Sequence, residues 1–241
     1  MANGRISSGS YDLNKWLYGG YEKDIITTIY GPAGIGKTNF CLIVAVSQAK
    51  KGNKVVYVDT EGGFSCERIK QIAGQEHEKI LENIFILKPT KFSEQQQAFA
   101  QLLKEIKQGI SLIIIDGITM LYRLELAEAK QEKEDRVKEI NSELAKQMRI
   151  LAEVARKRSI PVIVTNQAYS EFLSEEDLRA GKERRMMMVG GDILKYWSKC
   201  IIELKNERGK RKAILRKHRS LPEKELNFEI TGTGIRRRGW I

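Results

Sequence analysis

The chain has 241 residues, of which 41% are hydrophobic and 30% charged, enough to bury one large core. Its longest apolar runs, such as Ile110 to Ile115, fall far short of the roughly 20 residues that cross a bilayer, and the polar opening Met1-Ala2-Asn3-Gly4-Arg5 has no apolar signal core. A formal net charge of +11 attracts polyanions, nucleic acid or acidic membrane alike, and does not by itself choose between them.

The three cysteines, Cys41, Cys66 and Cys200, lack metal-ligand spacing and read as small buried or half-buried side chains, without disulfides or a zinc site. The expectation is a single domain over residues 1–241, in a cytoplasmic protein with no membrane partner.

In chain order, Asp24 to Tyr30 is a β-branched run that ends in a glycine-rich loop, and the apolar stretch Asn39 to Lys51 follows as a helix. Lys54 to Val58, Ile84 to Leu87 and Ser111 to Ile115 read as further strands, with helical segments near 65–74 and 93–108 between them. The charged stretch Arg123 to Glu139 reads as an exposed, solvated helix. From Val137 an apolar stripe at Val137, Ile140, Leu144, Met148, Leu151 and Ala155 has the spacing of an amphipathic helix. Pro161 to Thr165 supplies a fifth strand. Lys199 to Lys205 and Lys212 to Lys217, joined by Asn206 to Gly209, read as an antiparallel hairpin. The pattern predicts an α/β fold with a mostly parallel central sheet flanked by helices and a C-terminal antiparallel hairpin.

Gly31-Pro32-Ala33-Gly34-Ile35-Gly36-Lys37-Thr38 satisfies G-x-x-x-x-G-K-[ST] in full, after a strand and before a helix. Glycines let backbone N–H groups converge on phosphate oxygens, and the helix that follows offers its positive end. Lys37 bridges the β- and γ-phosphates and the Thr38 hydroxyl ligates Mg²⁺, so the expected cofactors are ATP and Mg²⁺, with Asn39 closing the nucleotide-contacting run. Asp116, after four apolar residues, is the candidate for the magnesium shell. Glu61 is the candidate to polarise water, although spacing alone fits a solvated turn carboxylate equally well. Gln167, at the end of the fifth strand, is a candidate γ-phosphate sensor.

Together these residues resemble the RecA-type recombinase superfamily in its archaeal branch. The resemblance rests on Gly31 to Thr38, Val58 to Phe64 with Glu67 and Arg68, Ile113 to Asp116, Val164 to Gln167, Val189 to Asp192 and Leu221-Pro222, all in the family's order. It implies a RecA-type phosphate-loop NTPase core in which Glu61 is the general base, Gln167 couples the γ-phosphate to a DNA-binding loop, and Arg68 packs on the adenine ring. It also implies a slow ATPase that binds DNA and assists homologous recombination and repair. Only about ten residues precede the core, so a separate N-terminal DNA-binding domain is not expected.

By the same resemblance Tyr169 to Val189 is a DNA loop, with Arg179, Lys182, Arg184 and Arg185 against five acidic residues. The hairpin is denser: Lys205, Arg208, Lys210, Arg211, Lys212, Arg216, Lys217 and Arg219 face only Glu207 in that interval. Lys210, Arg211 and Lys212 are taken as DNA contacts there. The expected partner is DNA, single- and double-stranded, with little sequence preference. A RadA-type recombinase, a junction nuclease or a DNA polymerase are candidate protein partners, and self-association, with Lys217 reaching a neighbour's ATP, stays open. Two other readings compete: a regulatory interaction protein that binds ATP structurally, and a KaiC-like ATPase acting on proteins.

Overall fold

The computed structural model describes residues 4–105, 109–129, 134–170 and 186–239. It opens with the short strands β1 (Arg5–Ile6) and β2 (Tyr21–Glu22), paired antiparallel around the helix α1 (Tyr11–Trp16). Then come β3 (Ile26–Gly31), α2 (Lys37–Ala49), β4 (Lys54–Asp59), α3 (Cys66–Ala73), α4 (His77–Leu81), β5 (Ile84–Leu87), α5 (Phe92–Glu105) and β6 (Ile110–Asp116). Two helices, α6 (Met120–Ala129) and α7 (Glu134–Arg158), lead to β7 (Val162–Ser170) and β8 (Met186–Met188). The chain closes with α8 (Gly191–Trp197), β9 (Cys200–Glu207), β10 (Lys210–His218), β11 (Lys224–Thr231) and β12 (Gly234–Arg237).

The main sheet runs β12-β11-β10-β9-β3-β7-β6-β4-β5, with β8 attached to β7. From β5 to β9 every pairing is parallel, and from β9 to β12 every pairing is antiparallel. The central strands are unbroken apolar runs because both of their faces are covered, and their two-residue period divides them between two cores. Val55, Tyr57, Leu112 and Ile114 join the core under α2, while Val56, Val58, Ile113 and Ile115 join the one under α7. The stripe expected on α7 is there: Ile140, Leu144, Met148, Leu151 and Ala155 are buried.

Three expectations need correction. The hairpin turn is two residues, Arg208 and Gly209, with φ of 51° and 77°, so each strand runs further toward the tip than the four-residue connection anticipated. Both φ values suit the tight type I′ turn that matches strand twist. The expected hairpin joins the central sheet, since β9 pairs with β3. The stretch from Arg123 is not uniformly solvated, because Ala129 of α6 is buried, and Arg123, though exposed, is hydrogen-bonded as described below. Cys66 is exposed rather than half-buried.

Candidate nucleotide site

The parallel strands deliver their carboxyl ends to one crevice, the place where open α/β sheets bind ligands. β3, β7, β6 and β4 are consecutive neighbours; Gly31, Asp116 and Asp59 end their strands, and Gln167 ends the part of β7 that pairs with β3. Register makes this close: Gly31 stands opposite Gln167, and Asp59 opposite Asp116.

The loop from Gly31 to Gly36 turns the chain from β3 into α2. Gly36 caps the helix at φ 115°, a conformation that favours glycine, and no side chain caps the N-terminus. The helix's first N–H groups therefore carry no side-chain acceptor of their own, as an anion cradle requires. Lys37 is buried, and its ammonium donates to Gly31 O at 3.1 Å and Pro32 O at 3.0 Å. Burial lowers its pKa, while Glu61 and Asp116 nearby pull it back up.

Asp116 is buried at the end of β6, and both its oxygens are held: Thr165 Oγ1 donates to Oδ1 at 2.6 Å and the Tyr57 hydroxyl to Oδ2 at 2.8 Å. That hydroxyl lies so deep beside carboxylates that its pKa is pushed well up, first by burial, so it serves as a fixed donor. A β-carbon on Gly63 would fall 3.1 Å from Thr38 Oγ1 and 3.6 Å from Asp116 Oδ2. The hydroxyl and the carboxylate thus border one space that residue 63 leaves open, and a hydroxyl with a carboxylate is an oxygen donor set that suits Mg²⁺. Asp59 shapes the wall of that space by accepting from Gly63 N at 3.1 Å and Phe64 N at 3.0 Å.

Glu61 follows β4 on the same wall. Burial, then Asp116, raise its pKa, opposed by Lys37 and by a hydrogen bond from Gln167 Nε2 to Oε1 at 3.1 Å. A half-buried carboxylate tuned upward is suited to accept a proton. Gln167 Oε1 in turn accepts from Arg123 Nη1 at 3.0 Å.

Arg68 lies at the flank. Its Nε donates to Asn39 Oδ1 at 2.9 Å, and its other nitrogens donate to Gln71 Oε1, Gly232 O and Thr231 O. These bonds lie in the guanidinium plane and leave its faces for stacking. The structure thus brings together Lys37, Thr38, Asp116, Glu61 and Gln167 in the crevice, with Asn39 and Arg68 joined at its edge. Sequence reasoning missed Tyr57 and Thr165, which hold Asp116, and the bond that the exposed Arg123 gives to Gln167; none has a local signature, because each acts through a residue distant in the chain.

The basic segments divide. Arg179, Lys182, Arg184 and Arg185 lie outside the described residues. On the hairpin the charge is not unopposed, which corrects the sequence reading. Lys212 pairs with Glu207 at 2.8 Å and Glu225 at 3.1 Å, and Arg216 with Glu203 and Glu223, both at 2.6 Å. Arg219 pairs with Glu22 at 2.7 Å and Asp24 at 3.0 Å. The acids come from β2, β9 and β11 and the turns beside them, which a count along one interval cannot include. Lys217 donates to Lys195 O at 2.7 Å.

A family model described as Rad51 matches residues 3–238. DNA repair and recombination protein RadB of Methanobrevibacter smithii is 41% identical over 239 residues, covering 97% of this chain and 96% of its own. The RadB protein of Methanocaldococcus jannaschii is 40% identical, covering 92% of this chain and 98% of its own. A crystal structure of the RadB recombinase superposes with a TM-score of 0.77 at 34% identity, covering 97% of this chain and all of that one. The crevice, the antiparallel extension and these likenesses along nearly the whole chain agree: the chain belongs to the Rad51 family of RecA-type recombinases, in its RadB group.

Proposed function

We propose that this protein binds ATP with Mg²⁺, hydrolyses it slowly and uses the nucleotide state to modulate its hold on DNA during recombination and repair. The observation that carries this reading is the convergence on one crevice of Lys37 from the start of α2, Asp116 from the end of β6, Glu61 from the turn after β4 and Gln167 from β7. In it, the Gly31 to Thr38 backbone and Lys37 cradle the triphosphate, and Asn39 and Arg68 flank the nucleoside. Thr38 and Asp116 would hold Mg²⁺, which neutralises phosphate charge when bound. Glu61 orients the attacking water and takes its proton, and Gln167 reports on the crevice to the segment that follows β7. Lys210, Arg211 and Lys212, with the 179–185 segment, supply contacts to the DNA backbone.

The test is a DNA-binding titration against salt in ATP, ADP and no nucleotide, with ATP turnover measured in parallel. Affinity that falls with salt and changes with nucleotide supports the reading. Affinity indifferent to nucleotide, together with turnover that survives Glu61→Gln, would overturn it.

A second reading has its own support. Because Lys212, Arg216 and Arg219 are neutralised internally, less positive charge is free for nucleic acid than the composition promises. An interaction protein that binds ATP for structure and recruits a recombinase, nuclease or polymerase needs no more. Turnover without any response to DNA would favour it.

A further inference from the structure

Gln167 stands between two side chains of opposite chemistry. Its Nε2 donates to Glu61 Oε1, and its Oε1 accepts from Arg123 Nη1. The two ends of an amide are nearly equal in size, so shape does not decide which one faces the glutamate. Charge and donor count do. A carboxylate only accepts, and a guanidinium only donates, so both neighbours demand the same orientation. Were Arg123 absent, only Glu61 would hold the amide, and the released carbonyl could turn toward solvent and draw the N–H off Oε1.

Arg123 is presented from a fixed base. Its backbone N–H bonds Thr119 O at 3.0 Å, and the neighbouring Tyr122 is buried with its hydroxyl on Asn141 Oδ1 at 2.6 Å. The residue before Gln167 is fixed as well: Asn166 accepts from Thr119 Oγ1 and donates to Val189 O at 2.8 Å. Both ends of the Arg123–Gln167 contact are therefore anchored. Among the described residues, Glu61 Oε2 accepts no hydrogen bond, so Gln167 occupies one carboxylate oxygen and leaves the other for water.

We propose that Arg123 is a positioning residue for ATP hydrolysis: by holding the carbonyl end of Gln167 it keeps the amide N–H on Glu61 Oε1 and leaves Oε2 as the proton acceptor. The inference rests on the reading of Glu61 as the base. In that step the water oxygen bonds to the γ-phosphorus while one of its protons passes to Glu61 Oε2. The bond from the γ-phosphorus to the bridging oxygen breaks, ADP and phosphate leave, and Glu61 returns its proton to solvent. Arg123 does not touch the reacting atoms.

The test compares steady-state turnover of the full chain with Mg²⁺ and ATP for the wild type, Arg123→Ala, Arg123→Lys, Gln167→Ala and the Arg123→Ala/Gln167→Ala pair. One hydrogen bond of about 1 kcal/mol corresponds to about fivefold, so Arg123→Ala should lower kcat about five- to tenfold with KM for ATP within twofold. Arg123→Lys, which can still donate one hydrogen bond to Oε1, should restore at least half. In the pair, loss of Arg123 should cost nothing beyond Gln167→Ala. A readout independent of turnover is the Gln167 side-chain NH₂ in an NMR spectrum. It should show one downfield, exchange-protected proton in the wild type and Arg123→Lys, absent from Arg123→Ala. Unchanged kcat, a parallel rise in KM, additive loss in the pair, or an amide signal indifferent to Arg123 would overturn the proposal. Glu61→Gln retaining wild-type turnover would instead sink the hydrolysis reading itself. Where turnover is too slow to measure, the amide signal decides.

Discussion

Gly117 lies directly against Glu61: a β-carbon on residue 117 would stand 2.6 Å from Glu61 Cγ and 2.5 Å from Thr60 Oγ1. Residue 117 also sits at φ 93°, where a side chain is strained whatever the space. Gly117→Ala should therefore push Glu61 off its position. Its expected cost is about 1–3 kcal/mol of stability from overpacking and strain, with turnover down at least tenfold. Nucleotide affinity, read by titration with a fluorescent ATP analogue, should stay within a few-fold, because the Gly31 to Thr38 loop is untouched.

Lys37→Ala should act the other way round. It removes a buried ammonium at the mouth of the phosphate loop, and a charge-assisted contact is worth about 1.5–3 kcal/mol, or about ten- to a hundredfold in affinity. The loss should be larger for ATP than for ADP, measured by calorimetry.

Arg68→Ala tests the flank. It deletes bonds to Asn39, Thr231 O and Gly232 O and any stacking on the base. A cation–π contribution of about 0.5–2 kcal/mol predicts ATP and ADP weakened alike, by about two- to thirtyfold. A loss confined to ATP would contradict a role at the base.

On the hairpin, pairing grades the basic side chains. Lys210 is exposed, whereas Lys212 already meets two glutamates. Lys210→Ala should lower the slope of log affinity against log salt by about 0.7–0.9 if the residue neutralises one phosphate. Lys212→Ala should change it less, since it frees Glu207 and Glu225 as it removes a cation. Equal effects in filter binding would contradict the internal pairing.

Acid should loosen the joint between β2 and the segment after β10. Burial alone would raise the pKa of Glu22, but hydrogen bonds from Arg5 and Arg219, with His218 near, hold it below the usual value. His218 is lowered first by burial, then by Arg5, Arg219 and Lys224, against the pull of Glu22. A lowered folded pKa means the unfolded chain binds the proton more readily. The His218 contribution is present above the ordinary imidazole value and lost as pH falls through its folded one. That of Glu22 is present above the ordinary carboxylate value and lost at lower pH still. Melting temperature should fall from pH 7 toward acid, and Glu22→Gln should flatten the lower part of that fall.

Much of the architecture was legible because it is local. The strands at 54–58, 84–87 and 111–115 and the stripe on α7 are periodic signals, and burial on one or both faces is what writes them. Boundaries moved where pairing went beyond the local pattern. β7 runs on past Thr165 to Ser170, with its last three residues opposite β8, and β9 and β10 run to a two-residue turn.

The phosphate loop could be read without a structure because its eight residues are contiguous, and the chemistry of wrapping a phosphate fixes their types and spacing. Asp116 became a candidate only behind that loop, because an apolar run ending in aspartate is by itself a common way for a strand to end. Tertiary structure alone decided what those groups touch. Gln167 meets Glu61 across 106 residues, Arg123 meets Gln167 across 44, and Arg219 finds Glu22 across 197. Such contacts depend on strand order and on distances of a few ångströms, neither of which leaves a trace in local composition. The +11 charge belongs to the sequence; which of its cations are free to meet a phosphate depends on the acids that folding brings beside them.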